Sequence, residues 1–353
     1  MDRRYYLDLA GSGLRMPIGA DLVLHERDDE AGTLRDGSRL GAVIVEAAHR
    51  YHTPLAIPLM DLSVEKEFLL ETLGVSPSDI PTFHFSSPPG EEALARVRRI
   101  SDRALTPRVQ ATADAVRTVA RHADLLPCGM SIGPFSLMTK LIADPISGVY
   151  LSGAGVSGDE DPEVRAVEEA LEMALAVIER CIAVQIDAGA SAIVVCEPAA
   201  NRVYLSPKQL ARGSDVFERM VMAPLRRVKA QLDAAGVDLM LHDCGELTDD
   251  MVGWLASLDP AMMSLGSSRK LWEDAARVPR TTVLYGNLPT KRFYAPDLTT
   301  EQVEAMTCDL LARMRAVDHP FILGSECDVL SVEGAREAIV EKVAAFCTCG
   351  CDG

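Results

Sequence analysis

The residues in this sequence best suited to chemistry are one histidine and two cysteines. His242 and Cys244 lie two positions apart, directly after the apolar run at 239–241. In an extended segment, side chains two residues apart project to the same side of the backbone, so one metal ion could contact both. Two ligands do not complete a metal site. The third candidate is Cys327, which also ends an apolar run of strand type.

Other polar residues follow predicted strands in the same way, namely Asp61, Glu197, Asn287 and Asp328. If the strands are parallel, all these side chains face one end of the sheet. One imidazole and two thiols are typical zinc ligands, and three protein ligands with an exchangeable fourth position form a catalytic pattern. Glu197 is the candidate for a fourth or transient ligand. The candidate catalytic residues are Asp61, Glu197 and Asn287.

Each candidate also has a structural interpretation. A His-x-Cys pair alone is a weak signal, and Cys327 is what strengthens it. Asp61 is equally suited to capping the following helix, since Asp is a favoured N-cap residue. Asn287 could stabilise the turn before Pro289. Four further cysteines have apolar neighbours, and a free cysteine more often behaves as a small buried hydrophobe than as a ligand. These four are Cys128, Cys181, Cys196 and Cys308.

Short apolar strands alternate with helical segments along the chain, and this alternation must position the candidate residues. Because no hairpin turns intervene, the pattern favours a parallel sheet with helical crossovers. Seven or eight such units predict a single α/β domain, a closed (β/α)8 barrel. An open doubly wound sheet is the alternative, but no Gly-x-Gly-x-x-Gly follows any strand. The predicted strands include 54–61, 126–132, 191–198, 237–241, 262–265, 281–285 and 321–323.

The composition is typical of a large acidic enzyme. The 353 residues, 48% of them hydrophobic, suffice for a substantial core. A formal net charge of −17 argues against nucleic acid or an anionic membrane as a partner. We find neither a signal peptide nor an apolar run of the roughly 20 residues that span a bilayer, and we expect a cytoplasmic protein. Nine cysteines without a secretory signal indicate reduced thiols and not a disulfide framework.

Two terminal segments stand apart from the repeating units of the predicted barrel, which spans residues 36–346. Residues 1–35 are punctuated by glycines and predict an irregular, charged N-terminal extension that could cover one end of the fold. Residues 347–353 form a tail that we expect on the face opposite to the strand ends. The simplest interpretation is a flexible tail with exposed thiols, and the alternative is a second metal or redox site. Its cysteines are Cys347, Cys349 and Cys351.

Six short stretches together resemble a known family. They are Pro-Leu-Met-Asp-Leu-Ser-Val-Glu (58–65), Ile-Gly-Pro-Phe-Ser-Leu (132–137), Asp-Ala-Gly-Ala (187–190), Leu-His-Asp-Cys-Gly (241–245), Tyr-Gly-Asn-Leu (285–288) and Gly-Ser-Glu-Cys-Asp (324–328). Over residues 36–346 the chain resembles the uroporphyrinogen decarboxylase superfamily. It resembles most closely the corrinoid-dependent branch, the methylcobalamin:coenzyme M methyltransferases. The His-x-Cys pair with a late Gly-x-x-Cys-Asp is the most specific part.

The resemblance implies a (β/α)8 barrel of the uroporphyrinogen decarboxylase type with a catalytic zinc bound by His242, Cys244 and Cys327. The zinc would hold a thiol acceptor as its thiolate, or polarise a methyl donor, beside a corrinoid (cobalamin). The corrinoid would be carried by a separate partner protein, because no Asp-x-His-x-x-Gly cobalamin motif occurs here. The expected function is zinc-dependent methyl transfer in one-carbon metabolism with a small-molecule donor or acceptor.

Two alternatives stay open. A tetrapyrrole decarboxylase is the weaker resemblance, because the chain lacks a Met-Arg-Gln-Ala-Gly-Arg type motif, although Asp61 falls where decarboxylases bind the pyrroles. Lys140 stands where they have a tyrosine, and the Cys327 segment occupies their late histidine region. Decarboxylation without a metal would not need these thiols. The other alternative is a non-catalytic zinc-binding or corrinoid-binding subunit, which a site closed by four protein ligands would favour.

Overall fold

Eight parallel strands with helical connections form a (β/α)8 barrel in a computed structural model that describes residues 3–351. This confirms the predicted fold. The hydrogen-bonded order is β1-β8-β7-β6-β5-β4-β3-β2, and the described residues form no ladder between β1 and β2. The strands are β1 (Arg15–Ile18), β2 (Leu55–Ala56), β3 (Leu126–Ile132), β4 (Ala192–Cys196), β5 (Asp238–Asp243), β6 (Met262–Leu265), β7 (Val283–Leu288) and β8 (Phe321–Asp328).

The helices within the described residues follow the strands and cover the barrel. Short 3-10 turns occur at Ile100–Asp102 and Thr290–Arg292, and a π-helical turn at Glu218–Met222 precedes α12. The α-helices are α1 (Arg4–Gly11), α2 (Ala20–Leu24), α3 (Glu30–Thr33), α4 (Gly37–Arg50), α5 (Val64–Leu73), α6 (Gly90–Val97), α7 (Pro107–Val119), α8 (Pro134–Leu141), α9 (Pro145–Gly153), α10 (Pro162–Asp187), α11 (Pro207–Leu210), α12 (Ala223–Ala235), α13 (Asp249–Ala256), α14 (Leu271–Asp274), α15 (Thr300–Val317) and α16 (Arg336–Thr348).

Local sequence signals determine where the long helices begin and end. Asp161 accepts the N–H groups of the first turn of α10, and Pro162 occupies its first position, where no N–H is needed. Thr299 and Gln302 form a capping box at α15. Gly236 ends α12 with φ of 69°, a left-handed conformation that glycine adopts without steric cost.

Alternating side chains of the strands build two apolar layers. In β4, Ala192, Val194 and Cys196 belong to the cluster that fills the barrel interior, whereas Ile193 and Val195 pack under the helices. This period of two is the geometry of a strand buried on both faces. Side chains at the carboxyl ends of the strands therefore project either into the mouth of the barrel or under the helix layer.

The expectation that residues 1–35 are irregular was wrong within the part that the structure describes. The segment contains α1, α2 and α3, and β1 pairs in parallel with β8, where Met16 lies opposite Gly324. Tyr6 of α1 is completely buried in the interior cluster. The segment thus supplies the first strand and covers the amino-terminal end of the barrel. The division of the chain at residues 35 and 346 stays a prediction, and residues 1 and 2 lie outside the described residues.

Three of the four cysteines that were predicted to be buried hydrophobes are buried free thiols, and the fourth forms a disulfide. Cys128, Cys181 and Cys196 are buried among apolar side chains, which confirms their structural interpretation. Cys308 instead forms a disulfide with Cys351, because the chain after α16 folds back onto α15. The expectation of reduced thiols was wrong for this pair. No local sequence pattern indicates this contact, because Cys308 and Cys351 are 43 residues apart in the sequence.

The described part of the tail, residues 347–351, is more ordered and more buried than the predicted flexible tail with exposed thiols. Helix α16 continues to Thr348, so Cys347 is helical, and Cys347 and Cys349 are half-buried. Residues 352 and 353 of the predicted tail lie outside the described residues. Within the described residues, none of the helices has both the length and the apolar character needed to cross a membrane.

Candidate metal centre

His242 occupies the carboxyl end of β5 and is oriented by the neighbouring strand. It lies opposite Ser264 of β6, and its Nδ1 atom is 3.0 Å from the Ser264 hydroxyl oxygen. The side chain is only 2% exposed, and its Nε2 atom is buried without a hydrogen-bond partner among the described residues. A buried polar atom without a partner is costly unless a ligand satisfies it. Nε2 is therefore suited to hold a metal ion.

Two thiols lie beside this imidazole. Cys244 follows β5 directly, and Cys327 is the penultimate residue of β8. The possible ligand atoms of His242, Cys244 and Cys327 all lie within 4.8 Å of one another. In a tetrahedral zinc site with bonds of about 2.0–2.3 Å, neighbouring ligand atoms are about 3.5–3.8 Å apart. The three side chains therefore fit a zinc ion after small movements.

The charges of the two thiols are linked. A hydrogen bond from the Cys327 thiol, together with His242 and Lys291, holds the pKa of Cys244 well below its usual range, although burial opposes the charge. The same hydrogen bond and burial raise the pKa of Cys327. One thiolate and one thiol thus share a proton. Metal binding requires both as thiolates, so it should release this proton.

Lys291 places a positive charge next to the thiols. Partial desolvation lowers the pKa of this ammonium group, but the Cys244 and Cys327 thiols and Glu326 more than offset that effect, so the pKa is raised. Its ammonium group therefore stays charged at neutral pH. Its charge lies next to the thiols and can attract a negatively charged ligand to this end of the barrel. It was not predicted from the sequence, because it lies in the short 3-10 turn Thr290–Arg292 after β7, which has no periodic pattern.

Two buried carboxyl groups adjoin the ligands. Asp243 precedes Cys244, and its Oδ2 atom has no partner within the described residues, while Oδ1 accepts the Gly245 N–H. Burial raises the pKa of Asp243 well above its usual range. Asp328 follows Cys327, and burial raises its pKa to about 8 even though Oδ2 accepts the Met60 N–H. The sequence offered one signal for Asp243, a carboxylate at a strand position that faces the helix layer.

Glu197 follows β4, and its carboxylate is hydrogen-bonded to the first turn of α8. Its two carboxylate oxygens accept the N–H groups of Phe135 and Ser136 in the first turn of α8, and the residue is completely buried. Burial raises its pKa to about 7, although these hydrogen bonds favour the charged form. The carboxylate also fills the space where a side chain at Gly133 would lie. A role as fourth ligand, as predicted from the sequence, would require Glu197 to leave α8.

Asp61 and Asn287 lie at the same end of the barrel with partners of their own. Asp61 is half-buried, forms an ion pair with Arg108, and accepts the N–H of Ser63, the N-cap residue of α5. Asn287 donates to the carbonyl oxygens of Gly266 and Arg269, at 2.8 and 3.0 Å. The structure does not bring either residue into the group of candidate metal-ligating atoms. Asn287 holds the segment after β6 and not the turn before Pro289.

An apolar cavity of about 40 Å³ lies beside Asp61 and Arg108. Its other walls come from α4, α5, α7 and α10, and it includes Met130 of β3 and Gln185. None of the three candidate metal ligands lines it. The candidate metal centre is therefore separate from this cavity and opens at the strand ends.

Comparisons with known proteins agree with this architecture. The family model described as uroporphyrinogen decarboxylase (URO-D) matches residues 35–347. A search of curated proteins finds no match. A solved methyltransferase from Methanosarcina mazei is 16% identical, with 98% of both chains covered and a TM-score of 0.69. An apo 3-keto-D-glucoside 4-epimerase from E. coli is 14% identical, with 74% of this chain and 95% of that chain covered and a TM-score of 0.37. At 16% identity the likeness to the methyltransferase concerns the fold alone.

Proposed function

The chain belongs to the uroporphyrinogen decarboxylase family, and from this premise we propose that it is a zinc-dependent methyltransferase. It would move a methyl group between a corrinoid protein and a small thiol or methyl donor. The observation that carries the proposal is the convergence of His242, Cys244 and Cys327 at the strand ends, with Nε2 of His242 unpaired. The structural neighbour described as a methyltransferase supports it at the level of the fold.

The chain's own residues prepare the centre for this chemistry. Ser264 fixes the orientation of His242, and Cys244 is held as a thiolate. A bound zinc ion would supply Lewis acidity and keep a small thiol deprotonated at neutral pH. The ammonium group of Lys291 would attract a negatively charged acceptor or donor to the same place. Cys244 and Cys327 are partly exposed, which leaves a path for such a molecule from solvent.

The three predicted catalytic residues take different roles in this proposal. Asp61 is the best placed to meet a substrate, because it is half-buried at the mouth of the barrel. Glu197 and Asn287 would act as positioning residues, since their hydrogen bonds hold α8 and the segment after β6. Glu197 would serve as a transient ligand only if it exchanged the α8 N–H groups for the metal.

Three large apolar side chains are exposed in segments that follow strands, at the end of the barrel that carries the centre. Val203, Tyr294 and Leu330 follow β4, β7 and β8, and they are 60%, 52% and 56% exposed. Large apolar side chains exposed around one site favour a protein partner. We propose that the corrinoid-carrying protein binds here, which would bring its cofactor over the metal centre.

The direct test is a methyl-transfer assay. The reduced, zinc-loaded protein is mixed without oxygen with methylcobalamin and a panel of small thiols, and the absorbance change on loss of the cobalt–methyl bond is followed. We expect consumption with at least one acceptor and none with Cys327→Ala, whereas Cys347→Ala, a thiol outside the centre, should react like the wild type. The reverse reaction is tested with cob(I)alamin and methyl donors. No reaction with any donor or acceptor, despite bound zinc, would contradict the proposal.

The family match itself favours one second candidate, decarboxylation of a tetrapyrrole. In that case Asp61 would contact the pyrrole nitrogens, for which its ion pair with Arg108 would have to open. Loss of carboxylates from uroporphyrinogen that persists in a strong chelator would support this candidate. If the protein transfers methyl groups but removes no carboxylates from uroporphyrinogen, this candidate is excluded.

A further inference from the structure

The end of the chain carries a second group of thiols, remote from the proposed methyltransferase centre. Arg15, the first residue of β1, donates from Nη1 to the carbonyl oxygens of Phe346 and Cys349, at 3.2 and 2.7 Å. Since Arg15 marks the amino-terminal end of the parallel strands, the segment after α16 lies at that end. The metal centre described above lies at the carboxyl-terminal end.

Three cysteines converge in this place. The Sγ atoms of Cys308, Cys349 and Cys351 all lie within 4.8 Å of one another, and all three residues are half-buried. Cys308 and Cys351 are joined by a disulfide, and Cys349 is a free thiol with its Sγ atom 3.7 Å from that of Cys351. We call this group the tail thiols. A protein that needed only a cross-link here would require two of the three.

The spacing and charge of the tail thiols suit a thiophilic metal ion. With zinc–sulfur bonds of about 2.3 Å, two thiolates of a tetrahedral site lie about 3.7–3.8 Å apart, which matches the separation of Cys349 and Cys351. Three thiolates around a divalent ion leave one negative charge. The guanidinium group of Arg15 lies 3.3 Å from the Cys349 Sγ atom and would compensate it.

We propose that Cys308, Cys349 and Cys351 form a second metal site, which binds a thiophilic divalent ion such as zinc when the disulfide is reduced. A dithiol reductant supplies two electrons and two protons, so Cys308 and Cys351 become thiols and the reductant becomes a disulfide. The metal ion then replaces three thiol protons, which pass to solvent, and a water molecule completes the coordination. In the oxidised state the disulfide holds the same two segments together.

The test is the zinc content of anaerobically reduced protein after zinc loading and removal of free metal. We expect about two zinc ions per chain in the wild type and about one in Cys349→Ser. Cys327→Ala, which removes a ligand of the other centre, should also retain about one, and the double variant almost none. Cys347→Ser is the matched control, because Cys347 lies two residues from Cys349 but outside the tail thiols, and it should keep about two.

Several outcomes would overturn the inference. One is a wild type that binds about one zinc ion and loses it in Cys327→Ala, and another is a Cys349→Ser protein that binds as much zinc as the wild type. A second ion that is lost on His122→Ala would place it at the exposed group of His49, His122 and Asp124 instead. If Cys327→Ala binds as much zinc as the wild type while Cys349→Ser binds less, the result contradicts the proposed methyltransferase centre and supports the tail site.

A spectroscopic readout separates ligation from indirect effects. In a Cys327→Ala background, Co²⁺ replaces zinc, and thiolate-to-cobalt charge-transfer absorption reports bound sulfur. We expect this absorption in reduced protein, its loss in Cys349→Ser, and its absence in protein whose Cys308–Cys351 disulfide is intact. Absorption of equal strength with the disulfide intact would contradict the proposed site.

Discussion

The two nitrogen atoms of His242 have different environments. Nδ1 contacts the Ser264 hydroxyl, whereas Nε2 is buried without a partner within residues 3–351. A second hydrogen bond of this kind fixes the ring orientation of a metal-ligating histidine. We expect Ser264→Ala to weaken zinc binding at this centre by about 10–100-fold, measured by competition with a chromophoric chelator. Ser214→Ala, whose hydroxyl donates to Gly153 elsewhere, is the control. Unchanged affinity in Ser264→Ala would contradict the assigned role.

Glu65 predicts a pH dependence of stability. It is completely buried, accepts the Ser131 hydroxyl at 2.7 Å, and its pKa is raised by burial from 4.5 to about 7. A carboxyl group with a raised folded-state pKa contributes its full stability below pH 4.5 and loses it as the pH rises toward 7. Above pH 7 the loss is complete.

Glu65→Gln removes this titration and keeps an acceptor for Ser131. We expect the unfolding free energy of the variant to rise relative to the wild type between pH 4.5 and 7, by up to about 3 kcal/mol. Urea titrations at several pH values measure the difference. Parallel pH profiles of the two proteins would show that the pKa of Glu65 is not raised.

The convergence of the three candidate metal ligands was easier to predict than the partners of the carboxylates. The pairing of His242 with Cys244 follows from strand alternation, and the approach of Cys327 follows from the common end of parallel strands. Both are visible in the sequence. The roles of Glu197 and Asn287 depend on N–H and carbonyl groups of distant segments, namely α8 and the segment after β6. Such contacts depend on tertiary structure and have no local sequence pattern.

Among the elements, the strand that the sequence did not predict is β1. It has four residues, includes Pro17, and lies between Gly13 and Gly19, so turn signals surround it. Proline is tolerated in strands at an edge, where no ladder requires its N–H. In this barrel β1 pairs with β8 but not with β2 within the described residues, which explains how Pro17 fits. The longer apolar strands β3, β4 and β5 were predicted close to their observed bounds.

Because β2 is short, β3 has no strand partner on the β2 side beyond Pro127, although it pairs with β4 on its other side. A glutamine of α10 takes the place of the missing β2 residues. Gln185 accepts the Met130 N–H at 2.9 Å and donates to the Met130 carbonyl oxygen at 3.0 Å, and it is 2% exposed. Gln185→Ala would leave two buried backbone groups unpaired, at a cost of roughly 1–3 kcal/mol each. Urea unfolding measures this loss.

The control for Gln185 is Gln231→Ala. Gln231 is half-buried, and its side-chain amide donates to the Glu179 carbonyl oxygen at 2.8 Å. We expect a loss of no more than about 1.5 kcal/mol, the net value of a single hydrogen bond. If the two variants lost equal stability, Gln185 would not be completing the edge of β3.

For the molecule as a whole, α1 closes the end of the barrel opposite to the candidate metal centre. Tyr6 of α1 fills the amino-terminal end, where it is completely buried and donates to Asp238 at 2.9 Å. We expect Tyr6→Ala to lower the unfolding free energy by about 3–5 kcal/mol, and Tyr6→Phe, which loses only the hydrogen bond, by about 1.5 kcal/mol. Zinc bound by His242, Cys244 and Cys327 in the folded variants should be unchanged. Equal losses in the two variants would show that the ring does not stabilise this end.

The most direct test of the proposed centre is the zinc content of Cys327→Ala, measured in a Cys349→Ser background so that the tail thiols do not contribute. His242 and Cys244 lie at the end of β5 and Cys327 at the end of β8, so only the folded barrel brings them together. We expect about one zinc ion per chain in Cys349→Ser and almost none in the double variant, because a three-ligand centre does not survive the loss of a thiolate. Zinc retained in full by the double variant, or absent from both proteins, would contradict the metal centre on which the proposed function rests.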